Sequence, residues 1–181
     1  MRRCEGIEQL YSSDRSEIIW TDSDIAQLKK AGGSRKIEGK QTELPCLPEV
    51  AHAVNLAAHT GLRLSDLLRL SRSHVGEDAI TFSTGKSRGR REAIIPLYDD
   101  LRALLARIPK RATTVLTSSK RRPWTAHGFG SSFNDAKHAA GIAGKDLHFH
   151  DLRGTAATKF YIAGLPIRGI AEILAWSEDS S

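Results

Sequence analysis

The sequence predicts a mainly helical α+β domain in which a small antiparallel β-sheet, or hairpin, packs on a helical bundle. Apolar residues recur at helical spacing in several segments, and two short β-branched runs flank one basic turn. With 181 residues, 40% of them hydrophobic, the chain is long enough for one domain with a buried core. We expect residues 1–20 to be an N-terminal remnant or linker and residues 21–181 to be the domain.

The helices of the first half are delimited by their capping residues. Thr21, with an acid at position 24, is close to a capping box and predicts a helix over about residues 22–31. Residues 32–48 contain Gly, Lys and Pro and predict a loop or linker. Pro48 at a first helical position and Gly61 just past a last one bound the next helix.

The middle of the chain alternates helical and strand-like patterns. "LRLSDLLRLSRSHV" predicts a second short helix, and "AITFS" and "EAIIPL" predict two strands joined by the basic turn "TGKSRGRR". "YDDLRALLARIP" is an amphipathic helix ended by Pro109, and "TTVLTSS" predicts a third short strand. We therefore expect a β-hairpin with a cationic tip between helices.

The last third predicts three helices. "TAHGFGSSFNDAKHAAG" has a helical pattern in its second half, and "LHFHDLRGTAATKFYIAGL" carries the next helix. "PIRGIAEILAW" predicts the final helix, with Pro166 in its first turn.

Charge and composition narrow the function classes. The formal net charge is +6 and the pI is about 9.5, with cations clustered in "GKSRGRR", "SKRRP" and "PKR". Such clusters favour a polyanionic partner, although a solvated basic surface has the same composition. Cys4 and Cys46 form no CxxC motif, which argues against a disulfide scaffold or structural zinc and suits a reducing cytoplasm. No secretory signal or membrane-length apolar run is present.

Six residues carry a possible chemistry, and each has a plain structural alternative. Arg63 follows a Thr-Gly turn with Asp66 three residues on, which could also be an internal ion pair. Lys86 lies at the hairpin tip, where lysines are usually just solvated. His150 and Arg153 are three residues apart, a spacing that places both on one helix face but also suits a capped helix with a surface arginine. Trp176 near the last helix end is normally a core residue.

Four motifs in this order resemble the catalytic domain of the tyrosine recombinases, the phage-integrase family. "TGLRLSD" matches the family's first arginine with an acid three residues on, and "STGKSRGRREAIIPL" matches its lysine on a β-hairpin. "HDLRGTAAT" matches its His-x-x-Arg before a helix of small residues. "LAWSEDS" matches its Leu-Gly-His or Leu-Gly-Trp box, with Ala175 in place of the usual glycine. The resemblance covers roughly residues 20–181 and implies the family's catalytic-core fold.

The resemblance implies a phosphoryl-transfer chemistry on duplex DNA, without metal or other cofactor. In the family, a tyrosine attacks a phosphodiester and forms a 3′-phosphotyrosine. Arg63 and Arg153 would clamp the non-bridging oxygens, where a planar guanidinium suits better than an ammonium, and Asp66 would hold Arg63.

The remaining family positions imply proton handling and DNA contact. Lys86 would protonate the leaving 5′ oxygen, His150 would donate a hydrogen bond and handle a proton, and Trp176 would donate its indole N–H to the phosphate. The further basic residues expected to contact DNA are Arg88, Arg90, Arg91, Lys120, Arg121 and Arg122.

The family's nucleophile is expected beyond Ser181, because it follows the box around Trp176 by a longer stretch than the sequence offers. The tyrosines present, Tyr11, Tyr98 and Tyr161, do not stand at that position. We expect the nucleophile to be absent and the domain to be inactive alone. Too few residues precede Pro48 for the family's separate N-terminal DNA-clamping domain. The sequence therefore resembles a truncated integrase, whether an expressed fragment, a prophage remnant or a frame interrupted at both ends.

Several functions stay open at this point. The first is a site-specific recombinase catalytic domain in the bacterial cytoplasm, associated with the nucleoid, which binds double-stranded DNA and self-associates or pairs with full-length recombinase there. The second is a non-catalytic DNA-binding accessory or remnant protein. A type IB topoisomerase relative uses a similar residue set, but "HDLRGTAAT" favours the integrases. A basic helical domain without any phosphate site is the remaining alternative.

Overall fold

The computed structural model describes residues 18–30, 33–37, 40–44, 48–83 and 92–174, with backbone alone between 33 and 44. The helices are α1 (Asp22–Lys30), α2 (Pro48–Thr60), α3 (Leu64–Arg69), α4 (Asp99–Arg107), α5 (Ala126–Ala139), α6 (Leu152–Ile162) and α7 (Ile167–Leu174). The strands are β1 (Gly33–Ile37), β2 (Lys40–Leu44), β3 (Ala79–Ser83) and β4 (Glu92–Pro96). Two 3-10 turns cover Arg72–His74 and Phe149–Asp151. The predicted mainly helical α+β class is confirmed.

Helix α2 is the centre of the bundle. It contacts α1, α3, α4, α5 and α6, and most of its side chains are buried. Its sequence is rich in alanine, so neighbouring helices can approach closely on several sides, while residues such as Val54 and Leu56 are fully buried. Each fully buried residue of that kind contributes about 1.5–3 kcal/mol. Because α2 is fixed on all sides, the turn that follows Thr60 has a well-defined position.

The predicted β-hairpin is present and supports the last helix. Strands β3 and β4 pair antiparallel, from Ala79 opposite Pro96 to Ser83 opposite Glu92. Burial alternates along both strands, so that Ile80, Phe82, Ala93 and Ile95 face the core. Strand β4 packs against α7. The hairpin that carries the basic segment in the sequence is therefore also the element that supports the last helix.

A second hairpin lies where the sequence predicted a loop or linker over residues 32–48. Strands β1 and β2 pair antiparallel from Gly33 opposite Leu44 to Ile37 opposite Lys40. The prediction was wrong because both strands are polar at nearly every position and show no alternation of apolar residues. Backbone hydrogen bonds form such a ladder without help from an apolar face.

The predicted third strand in "TTVLTSS" does not form. Thr114 makes an isolated bridge to Ser71, and the Val115 N–H donates to the Leu70 carbonyl over 2.8 Å. The same interaction ends the second predicted helix early, at Arg69, because the chain from Leu70 onward turns toward this neighbour and then curls into a 3-10 turn. The buried Val115 and Leu116 explain the strand-like pattern, which reflects core packing and not a ladder.

The predicted helix boundaries agree well elsewhere. The Thr21 N–H and Oγ1 both donate to the Asp24 carboxylate, and Thr21 Oγ1 accepts from the Asp24 N–H, which is the predicted cap of α1. Helix α5 begins earlier than predicted, since the Thr125 hydroxyl caps it by accepting from the Gly128 N–H.

Within the described part of the chain, every helix is too short or too polar to cross a membrane.

Candidate active site

Arg63 lies at a sharp turn between α2 and α3. Gly61 has a positive φ of 63°, which ends α2, and Arg63 is in extended conformation at the N-cap of α3. The Arg63 carbonyl accepts from the N–H groups of Asp66 and Leu67. These bonds fix the backbone, while the Arg63 side chain stays half-buried at the domain surface. The Thr-Gly-Leu-Arg motif therefore builds a rigid turn that presents a guanidinium.

Arg153 joins this turn to the end of the last helix. Its side chain, on the first turn of α6, is 7% exposed. Nη1 donates to the Gly61 carbonyl over 2.5 Å, and Nη2 donates to the Leu174 carbonyl. Leu174 ends α7, two residues before Trp176. One guanidinium thus ties together the backbone on which Arg63 stands and the backbone that leads to Trp176.

Arg63, Asp66 and Arg153 form one electrostatic cluster, which we call the arginine cluster. Burial and then the charge of Arg63 lower the pKa of Arg153 to about 10, and the charge of Asp66 acts in the opposite direction. Asp66 is 1% exposed and also forms an ion pair with Arg69, at 3.7 Å. Burial is the main cause of this lowered pKa, and the neighbouring charge of Arg63 is the second. An anion such as a phosphate beside the cluster would compensate both.

His150 precedes α6 instead of standing on it. It lies in the 3-10 turn Phe149–Asp151, and the helix begins at Leu152. The turn forms because the buried Asp151 carboxylate accepts the His148 N–H over 2.7 Å, which closes a loop of three residues before the helix can start. His150 is exposed, whereas Arg153 is buried. The two side chains therefore do not share one helix face, although the spacing predicted it.

Several predicted site residues lie outside the described residues. Lys86, its neighbours Arg88, Arg90 and Arg91, and Trp176 all fall there. The flanking elements are described: β3 ends at Ser83, β4 begins at Glu92, and α7 ends at Leu174. The hairpin on which Lys86 was predicted to stand is therefore present, and the roles of these five residues stay predictions.

The second basic loop has a defined turn. The Ser118 N–H donates to the Arg122 carbonyl, and the Arg121 N–H donates to the Ser118 carbonyl. Arg121 has a φ of 59°, an unusual left-handed conformation for a residue with a side chain. Lys120, Arg121 and Arg122 are all exposed. The turn presents three cations to solvent ahead of α5, and their contact with DNA stays a prediction.

The described tyrosines lie in unlike surroundings. Tyr98 precedes α4, and its hydroxyl oxygen lies 2.7 Å from His59 Nδ1 and 3.0 Å from the His59 carbonyl. Burial and the charge of Asp100 raise its pKa to about 12, which opposes formation of a phenolate nucleophile. Tyr161 is 64% exposed on α6, and Tyr11 lies outside the described residues.

Sequence reasoning missed Trp20, which contacts the segment that carries His150 and Arg153. Trp20, assigned to the N-terminal linker, is 1% exposed and donates its indole N–H to the His148 carbonyl over 2.9 Å. The Trp20 backbone N–H donates to Thr155 Oγ1, also over 2.9 Å. The sequence offers one sign that Trp20 is buried, because it is a large aromatic residue in a stretch without periodicity. This sign does not indicate that its partners are His148 and Thr155. The predicted domain boundary at residue 21 stays a prediction.

Comparison with known proteins gives a consistent result. Residues 42–181 match the family model described as the phage integrase family. A structure of the lambda integrase catalytic core is similar, with 20% identity and a TM-score of 0.66, over 86% of this chain and 90% of that one. XerA recombinase is similar with 21% identity and a TM-score of 0.64, over 89% of this chain and 57% of that one.

A further similar structure is titled a lambda integrase tetramer bound to a Holliday junction. It has 21% identity and a TM-score of 0.66, over 90% of this chain and 46% of that one. The chain thus spans about half the length of these longer structures and nearly all of the catalytic core. No curated protein sequence matches the chain.

Proposed function

The chain belongs to the phage integrase family, and from that premise we propose that its domain binds duplex DNA and positions a scissile phosphodiester for tyrosine-type strand transfer. This is the role of a site-specific recombinase catalytic domain. The arginine cluster is the observation that carries the proposal. The Arg153 guanidinium donates to the Gly61 carbonyl, in the turn that carries Arg63 some 90 residues earlier in the sequence, close enough for the charge of Arg63 to act on Arg153. Asp66 is buried beside this turn, and Arg63 is half-exposed.

Each residue has a defined task in the proposed reaction. The transition state spreads negative charge over the non-bridging phosphate oxygens, so fixed donors accelerate the reaction by electrostatic stabilisation. Arg63 supplies the accessible fork, the buried Arg153 adds positive charge, and Asp66 holds Arg63. His150, exposed at the start of α6, donates a hydrogen bond and handles a proton. Lys86 and Trp176 complete the site by their family positions.

Double-stranded DNA is the proposed partner, and assembly on DNA is proposed with it. The net charge of +6 and the exposed cations at 120–122 favour a polyanion. The similar lambda integrase structure is a tetramer bound to a Holliday junction, which supports self-association of this chain on DNA. No step of the proposed reaction uses a metal or cofactor.

Binding of a nicked duplex, measured as a function of salt, tests the proposal. Arg63→Ala removes a charge-assisted donor that is worth about 1.5–3 kcal/mol, so the affinity should fall about 10–100-fold. The slope of log K against log salt should become less steep by about 0.9 for the lost phosphate contact. Arg107→Ala is the charge-matched control, because Arg107 is exposed, lines a cavity with Pro48 and His52, and belongs to none of the site motifs. Equal losses in both variants would refute the phosphate assignment.

A suicide duplex tests the strand-transfer part separately. The chain is incubated with a nicked duplex whose cleaved product cannot religate, and an SDS-stable protein–DNA adduct is sought. We expect no adduct through Tyr98, since its raised pKa and its contacts with His59 oppose attack. An adduct that disappears in Tyr98→Phe or Tyr161→Phe would overturn the expectation that neither of these tyrosines is the nucleophile.

A further inference from the structure

We propose that Trp20 is a positioning residue of the candidate active site. In this proposal it holds the backbone of residues 148–155, the segment that carries His150 and Arg153, in the conformation that the phosphate site needs. The inference rests on the proposed function, since it concerns how the same site is kept in place. It assigns a task to a residue that precedes every motif of the family resemblance.

Trp20 contacts the segment at both of its ends. The indole N–H donates to the His148 carbonyl, two residues before His150, and the backbone N–H donates to Thr155 Oγ1, two residues after Arg153. The Thr155 hydroxyl donates in turn to the Asp151 carbonyl over 3.2 Å. The 3-10 turn and the first turn of α6 are therefore bracketed by one residue more than 120 positions away in sequence.

The position of Trp20 is itself well fixed. The indole is 1% exposed and lies 5.9 Å, centroid to centroid, from the ring of Phe133. Two ion pairs join α1 to the same region: Lys145 to Asp24 at 2.5 Å, and Lys159 to Asp22 at 2.6 Å. The second pair is exposed and adds little by itself. The buried indole with its two hydrogen bonds is therefore the main attachment.

The two hydrogen bonds of Trp20 matter because Arg153 reaches its partners from the first turn of α6. Its guanidinium donates to the Gly61 and Leu174 carbonyls, so a displacement of the α6 start would pull these groups apart. Displacements of about 1 Å are enough to lower the efficiency of a preorganised site strongly. His150 lies between the two attachment points and would move with the turn.

The protein contains a matched control for the indole N–H. Trp124 likewise contacts a phenylalanine, Phe129, with ring centroids 5.6 Å apart, although this pair is edge-to-face whereas the rings of Trp20 and Phe133 are tilted. Its Nε1 is buried and makes no hydrogen bond with any described residue. Trp20→Phe removes an N–H that is used, whereas Trp124→Phe removes one that is not. Both substitutions lose a similar volume of aromatic side chain.

Thr155 offers a second pair of variants. Thr155→Val keeps the shape and loses the hydroxyl that accepts from Trp20, whereas Thr155→Ser retains the hydroxyl. Thr158→Val is the control on the same helix, because the Thr158 hydroxyl donates to the Gly154 carbonyl, whereas the hydrogen bond of the Trp20 backbone goes to Thr155. If Trp20→Phe does not fold, the Thr155 variants still decide the question.

The experiment measures the affinity for a nicked duplex, at a temperature where circular dichroism shows each variant to be folded. Each variant is measured by itself and also in combination with Arg153→Lys. We expect Trp20→Phe and Thr155→Val to weaken binding about tenfold, and Thr155→Ser, Thr158→Val and Trp124→Phe to stay within about twofold. Arg153→Lys should cost less affinity in the Trp20→Phe background than in the parent, because both changes act through one segment.

The outcomes separate the two proposals. Parental affinity in Trp20→Phe and in Thr155→Val, whatever their thermal stability, would overturn the positioning role and leave the phosphate site intact. An equal Arg153→Lys loss in the Trp20→Phe and parental backgrounds would overturn it as well. If Arg153→Lys and Arg63→Ala cost no affinity even in the parent, the proposed function itself fails.

Discussion

Replacing Gly61 by alanine tests the geometry of the arginine turn most directly. A Cβ at this position would lie 2.2 Å from Leu174 Cδ2 and 3.2 Å from Ala156 Cβ, and the residue has a φ of 63°. The left-handed conformation alone costs a residue with a side chain about 1–2 kcal/mol. Overpacking of a filled site adds about 1–3 kcal/mol. We therefore expect Gly61→Ala to lower the free energy of unfolding by about 2–5 kcal/mol.

The clash cannot be relieved cheaply. The methyl group of Leu174 is the far end of a side chain, but Leu174 is fully buried, and in a close-packed core a moved side chain meets its neighbours. If the whole residue moves, its carbonyl moves away from the Arg153 guanidinium that donates to it. The variant should therefore also weaken duplex binding at temperatures where it is folded.

Gly141→Ala is the control for the backbone contribution. Gly141 has a φ of 70°, and a Cβ at this position would have no described residue within 4 Å, so only the conformational cost of about 1–2 kcal/mol applies. Urea denaturation of the two variants and the parent measures the difference, provided that the m-values agree. Equal losses in Gly61→Ala and Gly141→Ala would refute the reasoning, because the contact with Leu174 would then carry no cost.

Two further predictions concern charge. Asp24→Asn should lower the free energy of unfolding by about 1.5–3 kcal/mol at pH 7, since it loses charge-assisted bonds to Lys145 and Thr21. Burial raises the pKa of Asp24, but these bonds lower it by more, so the pKa in the folded state lies below 3.8. The stabilisation is therefore full above pH 3.8 and is lost as the pH falls through the folded-state pKa. Thermal unfolding measured from about pH 7 to about pH 2 should show a smaller loss of stability at acid pH in Asp24→Asn than in the parent. Burial and then the charge of Lys159 lower the pKa of His59 below 6.5, so the folded state resists protonation and stability falls as the pH drops from 6.5 toward the lowered value. His59→Gln should flatten the melting temperature between about pH 7.5 and 5.5, and an unchanged slope would contradict this assignment.

Local chemistry in the sequence was enough to predict most helices and the hairpin of β3 and β4. Thr21 with Asp24, Pro48 and Gly61 mark helix ends by capping and φ preference, which depend on neighbours in the chain alone. The alternation in "AITFS" and "EAIIP" predicts the hairpin for the same reason, because burial on one face has a period of two. The motifs around Arg63 and Arg153 predicted the family, which the family model confirms.

The tertiary structure decided what local patterns do not contain. Strands β1 and β2 are held by backbone bonds between polar residues, and "TTVLTSS" packs against Leu70 without a ladder. The burial of Arg153, in contrast to the exposed His150 three residues earlier, follows from its reach to the Gly61 and Leu174 carbonyls. The tie from Trp20 to residues 148 and 155 spans more than 120 residues. Such contacts depend on where distant segments meet in space, and no periodicity, cap or turn signal in one segment specifies its partner in another.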